Sequence, residues 1–210
     1  MTVLRACRFR LAAWQNDDAV LGLGAASLAE LAGEVAGKRV ALVGNARALA
    51  EVTQGSQIDA CDVVIRINRA PMPSIESHGA RTDWLALASS VSSDAFNALG
   101  AKRLIWMSHK RKRLKYWMAQ TSGFVLFPKA RYEDLKAQLG AQPTTGAMLV
   151  DFLSTTDAAE IHLFGFDFFS SLSLSGRRDA TDVPHDFSSE SDFVHAVIKT
   201  DPRVALHPME

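Results

Sequence analysis

The sequence predicts an α/β fold built on a mainly parallel sheet with helices on both faces. Three observations predict it. Short runs rich in β-branched and aromatic residues recur at 40–43, 63–65, 84–88, 103–107 and 124–127. Stretches of helical composition fall between several of these runs, the alternation that yields parallel strands covered on both sides. The first run ends at Gly44-Asn45 and is followed by a helical stretch and a second strand, the opening of a Rossmann-like unit.

Composition fits a globular chain and excludes several classes. Of 210 residues, 48% are hydrophobic and 22% charged, enough to bury a proper core. Lys plus Arg and Asp plus Glu are both 23, so no excess of positive charge points to nucleic acid, and no nucleic-acid partner is expected. No apolar run approaches the roughly 20 residues of a membrane span. The N-terminus is basic and partly apolar but lacks a signal core and cleavage site. Cys7 and Cys61 are the only cysteines, which argues against a disulfide framework and for a reducing, cytoplasmic setting. Without repeats or linkers, residues 1–210 read as one domain.

The elements follow in order. Residues 3–14 suit either a strand or an amphipathic segment, and Asn16-Asp17-Asp18 an exposed turn. Residues 25–36 read as a helix with Ser27 as its cap and Gly37 as its stop. After the first strand, 46–52 read as a short helix and Gln54-Gly55-Ser56 as a turn. The Pro and Gly content of 72–79 marks a loop. Residues 92–99 form a helix between the third and fourth strands, and 147–153 an apolar helix opened by Pro143-Thr144-Thr145-Gly146. His162 falls within a strand, 167–182 form a loop placed as a lid, and a last helix runs from about Glu190 to Ile198.

Ligands of such units sit outside the carboxyl ends of the strands, where helix N-termini offer free N–H groups to phosphate. Asn45 and Asn68 fall at two of these ends, and an amide can both donate and accept hydrogen bonds. The Pro143–Gly146 start supplies a rigid turn, a capping hydroxyl and a close-approach backbone, suited to an anion; a plain N-cap is the competing reading. Residues 109–115, His-Lys-Arg-Lys-Arg-Leu-Lys, read either as a solvated helix face or as a contact for an acidic glycan, a phosphorylated lipid core or a membrane surface.

These stretches resemble a known family. Ala41, Val43, Gly44, Asn45, Ile58, Asp59, Asp62, Val64, Ile65, Arg66, Asn68, Ala70 and Pro71 match, in order, the large motif of the sialyltransferases, glycosyltransferase family 29. Gly79, Arg81 and Thr82 continue the match. Residues 143–166 are similar to the family's small motif, and His185 followed by Glu190 resembles its last, very small one. The resemblance spans about residues 39–190.

The resemblance implies transfer of sialic acid from CMP-sialic acid to a glycan hydroxyl, with inversion and without a metal or other cofactor. It implies donor contacts from Asn45, Asn68, Thr144, Thr145, Gly146 and Gly165, with Gly44 in support. His185 becomes the base that takes the acceptor proton, a task suited to an imidazole, with Glu190 capping or orienting the segment. The family's third motif carries a His that contacts the donor phosphate; no His lies between His162 and His185, and Arg177 and Arg178 are placed to supply that charge. The cysteines that secretory relatives join are replaced by Val40 and Ala158. The expected partners are a CMP-sugar and a glycan acceptor of lipopolysaccharide type or another acidic glycan. The expected location is the cytoplasm, with peripheral contact to the inner membrane through 109–115.

Three alternatives stand beside this reading. One keeps CMP but changes the sugar, for example to Kdo. Another is a dinucleotide-dependent oxidoreductase, against which Gly44-Asn45-Ala46-Arg47 lacks the Gly-x-Gly-x-x-Gly fingerprint and the second strand ends without a ribose-binding acid. The last is a non-catalytic nucleotide-binding module, suggested by the missing third-motif His.

Overall fold

The computed structural model describes residues 2–167 and 187–209, with side chains from Leu4 and, after the gap, from Ser188. The chain begins with helices α1 (Thr2–Gln15), α2 (Asp18–Leu21) and α3 (Leu28–Val35). Strand β1 (Arg39–Val43) is followed by a 3₁₀ turn (Arg47–Glu51), α4 (Gly55–Asp59), β2 (Val63–Ile67) and α5 (Ile75–His78). Next come β3 (Trp84–Leu87), α6 (Ser93–Leu99), β4 (Arg103–Trp106), a second 3₁₀ turn (Arg111–Arg113) and α7 (Tyr116–Ala119). Strand β5 (Phe124–Leu126), α8 (Lys129–Leu139), α9 (Thr145–Ser154), β6 (Glu160–Phe164), α10 (Phe187–Thr200) and β7 (Val204–Leu206) complete the order.

The strands form one seven-stranded sheet in the order β5-β4-β3-β2-β1-β6-β7. Every pairing is parallel. The sheet is therefore wholly rather than mainly parallel, and both of its faces must be covered. Alternation along the strands divides the core accordingly. Val40 and Leu42, with Trp84 and Ala86, face a cluster shared with α3, α8, α9 and α10. Leu85 and Leu87 face Phe9 of α1, Leu21 of α2, Phe96 of α6 and Met118 of α7. Ala41 and Val43 on that second side meet Leu49 and Ile58. Val40 and Ala158 are both buried in the first cluster, an apolar packing at the positions where secretory relatives carry cysteines.

Helix starts and stops follow local chemistry. Ser27 and Glu30 form a reciprocal capping box at α3, and Gly37 after it takes a φ of 69°. Ser92 caps α6 and Gly100 ends it in the left-handed region.

Several expectations change. The open segment 3–14 is the helix α1, because Phe9, Ala12 and Ala13 recur at helical spacing on its inner side. Asp17 is not merely a turn residue: it caps α2 by accepting from the Val20 N–H. The stretch 46–52 is a 3₁₀ turn without a side-chain cap rather than an α-helix. Gln54-Gly55-Ser56 opens α4, and the loop at 72–79 contains α5, capped by Ser74. These short helices lie against each other so closely that a Cβ on Gly55 would fall 1.9 Å from the Ile75 carbonyl oxygen. The basic run 109–115 is not a helix face but a 3₁₀ turn, with Arg111 buried. Helix α8 and strand β7 complete the layers without having been read from the sequence.

Candidate active site

The direction of chain progression reverses between β1 and β6. Strands β1 to β5 run outward to one side of β1, and β6 and β7 to the other. Such a reversal opens a crevice at the carboxyl ends of the two adjacent central strands, where doubly wound folds bind ligands. Here those ends are Gly44-Asn45 after β1 and Gly165-Phe166 after β6.

Backbone closeness explains the glycines. The Gly44 N–H donates to Phe164 O at 2.7 Å, and the Ala46 N–H donates to Gly165 O at 3.2 Å. A Cβ on Gly44 would lie 2.2 Å from the Gly165 carbonyl oxygen, so no side chain fits. Gly165 itself has a φ of 67°, which L side chains rarely adopt. A Cβ on Gly146 would meet the Phe166 ring at 2.9 Å, which sets the start of α9 beside the end of β6. Gly44, Gly146 and Gly165 thus let three backbone segments converge.

The asparagines tie neighbouring strand ends together. Asn45 Nδ2 donates to Ile67 O at 3.3 Å, spanning β1 and β2. The Asn68 Oδ1 accepts from the Ala88 N–H at 3.0 Å, spanning β2 and β3. Asn68 sits at a φ of 54°, a conformation its short amide tolerates better than most side chains. Among the described residues, the carbonyl of Asn45 and the NH₂ of Asn68 have no partner, so the rim offers an acceptor from one and donors from the other.

Helix α9 presents its N-terminus to the same region. Thr144 is the N-cap, its hydroxyl accepting from the Ala147 N–H at 3.1 Å. Its own N–H and O–H both go to the Glu190 carboxylate, at 2.5 and 2.8 Å. Both hydrogens of Thr144 are therefore directed to Glu190. Among the described residues, the N–H groups of Thr145 and Gly146 have no partner, as is usual for the first turn of a helix. Glu190, 6% exposed, is the latch between α10 and α9.

Much of the large motif lies away from this rim and supports the sheet. Arg66 on β2 is 1% exposed and donates to the carbonyls of Arg81 and His78 and to the Thr82 hydroxyl. Burial lowers its pKa to about 10. Burial, helped by nearby Arg66, lowers the His78 pKa to about 4, which keeps that imidazole neutral. The Asp59 carboxylate accepts the N–H groups of Ala80 and Arg81 at 2.8 and 3.0 Å. Gly79 is required there, since a Cβ would fall 2.4 Å from Asp59 Oδ1. A cleft of about 470 Å³ near Asp62, Asp83 and Arg103 lies at the amino ends of the strands, opposite the switch point. Its charges pair with one another, Arg103 with Glu34 and Lys102 with Asp83.

The structure does not place every expected residue. His185, Arg177, Arg178 and the lid loop lie outside the described residues. His162 lies within β6, as expected, and pairs with His207 at 3.0 Å and with Glu160 at 2.8 Å. His109 stacks on Tyr132 with ring centroids 4.5 Å apart. Among the described residues, no helix is long and apolar enough to cross a membrane.

Comparison with known proteins agrees with this architecture. The fold is similar to that of a mammalian sialyltransferase solved in complex with Gal-beta-1-3GalNAc-ortho-nitrophenol: TM-score 0.65, 19% identity, covering 96% of this chain and 85% of that one. It is also similar to the sialyltransferase CstII from Campylobacter jejuni in complex with CMP-3FNeuAc: TM-score 0.55, 14% identity, covering 80% and 81% of the respective chains. No protein of curated function matches the sequence. A sequence model of Glycosyltransferase family 29 (sialyltransferase) matches residues 25–130, half of the chain, including the whole large motif and the strands β1 to β5. The chain belongs to glycosyltransferase family 29, the sialyltransferases.

Proposed function

We propose that the chain transfers sialic acid from CMP-sialic acid to a glycan hydroxyl, with inversion and without a metal. The observation that carries this is the convergence of Gly44-Asn45, Gly165-Phe166 and the α9 N-terminus at the switch point of a family 29 sheet. The likeness to sialyltransferases solved with CMP, with CMP-3FNeuAc and with a disaccharide acceptor supports a CMP-sugar donor and a glycan acceptor. Family membership displaces the oxidoreductase reading.

The chemistry asks for two things. The leaving CMP gains negative charge, which preorganised dipoles stabilise best. The Thr145 and Gly146 N–H groups and the Asn68 amide are the candidates for that work. The anomeric carbon becomes cation-like, and a base on the opposite side must take the acceptor proton. His185 is that base, Arg177 and Arg178 replace the third-motif His, and the latch Glu190 follows His185 with four residues between. The acceptor is a glycan of lipopolysaccharide type or another acidic glycan, met in the cytoplasm.

Calorimetric titration with CMP, UMP and NADH in EDTA tests the donor class, with selective CMP binding expected. Turnover of CMP-sialic acid beside CMP-Kdo then separates the sugars, and His185→Ala is expected to abolish transfer while CMP still binds. CMP binding without turnover of either donor would leave a non-catalytic module.

A further inference from the structure

Helix α1 is apolar on two sides. Its inner side carries Phe9, Ala12 and Ala13, buried against the core. Its outer side carries Leu4, Cys7, Leu11 and Trp14, at spacings that align them along one stripe. These side chains face solvent: Leu4 is 79% exposed, Leu11 55% and Trp14 74%. A soluble helix has no physical reason to hold a leucine–tryptophan stripe in water.

The charges beside the stripe are of one sign. Arg5, Arg8 and Arg10 are exposed, and α1 contains no acidic residue. The 3₁₀ turn Arg111–Arg113 packs against α1 and adds exposed Lys112 and Arg113. Arg111 is different, buried and spent on Asp18 at 2.7 Å. Among the described residues, none of the five exposed cations takes part in a salt bridge. Asp17, the remaining acid at the end of α1, is occupied in capping α2.

We propose that this face, α1 together with the 3₁₀ turn, docks the enzyme on an anionic lipid surface. The apolar stripe enters the headgroup boundary and the arginines meet the lipid phosphates, the arrangement of an interfacial amphipathic helix. A second copy of this chain is a poorer occupant, because it would set unpaired arginines against their own kind. The inference goes beyond the sialyltransferase assignment and needs no activity for its test. It also moves the expected membrane contact from the 109–115 run, whose Arg111 is unavailable, to a face led by α1.

The test is sedimentation of the full chain with vesicles of phosphatidylcholine alone and of equal parts phosphatidylcholine and phosphatidylglycerol. Binding to the anionic vesicles only, weakened by high salt, is expected. Trp14 fluorescence should shift to the blue on binding, a shift largely lost in Trp14→Phe, since Trp84 and Trp106 are already buried and Trp117 is half-buried against Phe96. Replacing Arg5, Arg8 and Arg10 by Gln should weaken binding about a hundredfold, and Leu11→Ser with Trp14→Ser by at least about tenfold. Equal binding to neutral vesicles, no binding to either, or indifference to these substitutions would overturn the proposal. So would a dimer, seen by light scattering without lipid, that Leu11→Lys dissociates.

Discussion

Glu190 receives both hydrogens that Thr144 can donate, the backbone N–H at 2.5 Å and the hydroxyl at 2.8 Å. Through this pair the last long helix is held at the N-terminus of α9, beside the end of β6. A buried carboxylate at a helix start also complements the positive end of the dipole. Glu190→Ala should destabilise the protein by about 2 kcal/mol, since it strands a half-buried N–H and hydroxyl. Thr144→Ala removes the cap as well and should cost a similar amount, about 1–2 kcal/mol. The double variant should cost less than the sum, which urea denaturation of all four proteins would reveal.

Gly44 and Gly165 make a second kind of prediction, about shape. Gly44→Ala must push the Gly165 carbonyl away, because the new Cβ would sit 2.2 Å from it. Gly165→Ala adds a left-handed backbone to a contact of 3.0 Å with Leu49. Each should cost about 2–3 kcal/mol and weaken CMP binding by widening the crevice. Gly33→Ala is the control: nothing lies within 4 Å of its built Cβ, inside α3. That change should stabilise by about 0.5–1 kcal/mol and leave CMP affinity unchanged.

Arg66 shows that a motif residue can serve the fold rather than the ligand. Its guanidinium satisfies the Arg81 carbonyl, the Thr82 hydroxyl and the His78 carbonyl at once, from a position 1% exposed. An ammonium is a single point donor and cannot span those three acceptors in one plane. Arg66→Lys should therefore lower stability by about 2 kcal/mol. Arg66→Met, which abandons every acceptor, should lower it by more. Once folded at low temperature, both variants should retain CMP affinity; loss of affinity beyond loss of stability would assign Arg66 to the site instead.

The sheet was legible because its strands are short apolar runs with little competing structure. Val40 to Val43 and Val63 to Ile65 are buried on both faces and show it in composition. The short helices α4 and α5 were not, because neither has the length to display a period. They are specified by tertiary fit, Gly55 against Ile75 and Gly79 against Asp59, which no local pattern reveals. Strand β7 has only three residues, and its one fully covered side chain, Val204, leaves no alternation to read. Gly44, Asn45, Gly146 and Gly165 were singled out through motif spacing, but the neighbours they meet in the fold were not. That Thr144 is spent on Glu190 follows from a contact across 46 positions of chain, beyond any windowed reading.

His78 gives stability a pH dependence with a definite sign. Its imidazole is 1% exposed; Nδ1 lies 2.7 Å from the Ser77 hydroxyl, and Nε2 has no partner among the described residues. Burial, then the neighbouring Arg66 charge, holds the folded pKa at about 4, against 6.5 for a free imidazole. The unfolded chain therefore binds a proton that the folded one refuses. The associated stability is fully present above pH 6.5 and is lost as pH falls toward about 4. His207 and His109 are also lowered, mainly by burial, and act in the same direction. Folding free energy from urea titrations should fall by up to about 3 kcal/mol from His78 over that window. His78→Phe should flatten this part of the profile while leaving the contributions of His109 and His207. An unchanged slope in the variant would mean that His78 is protonated in the folded protein.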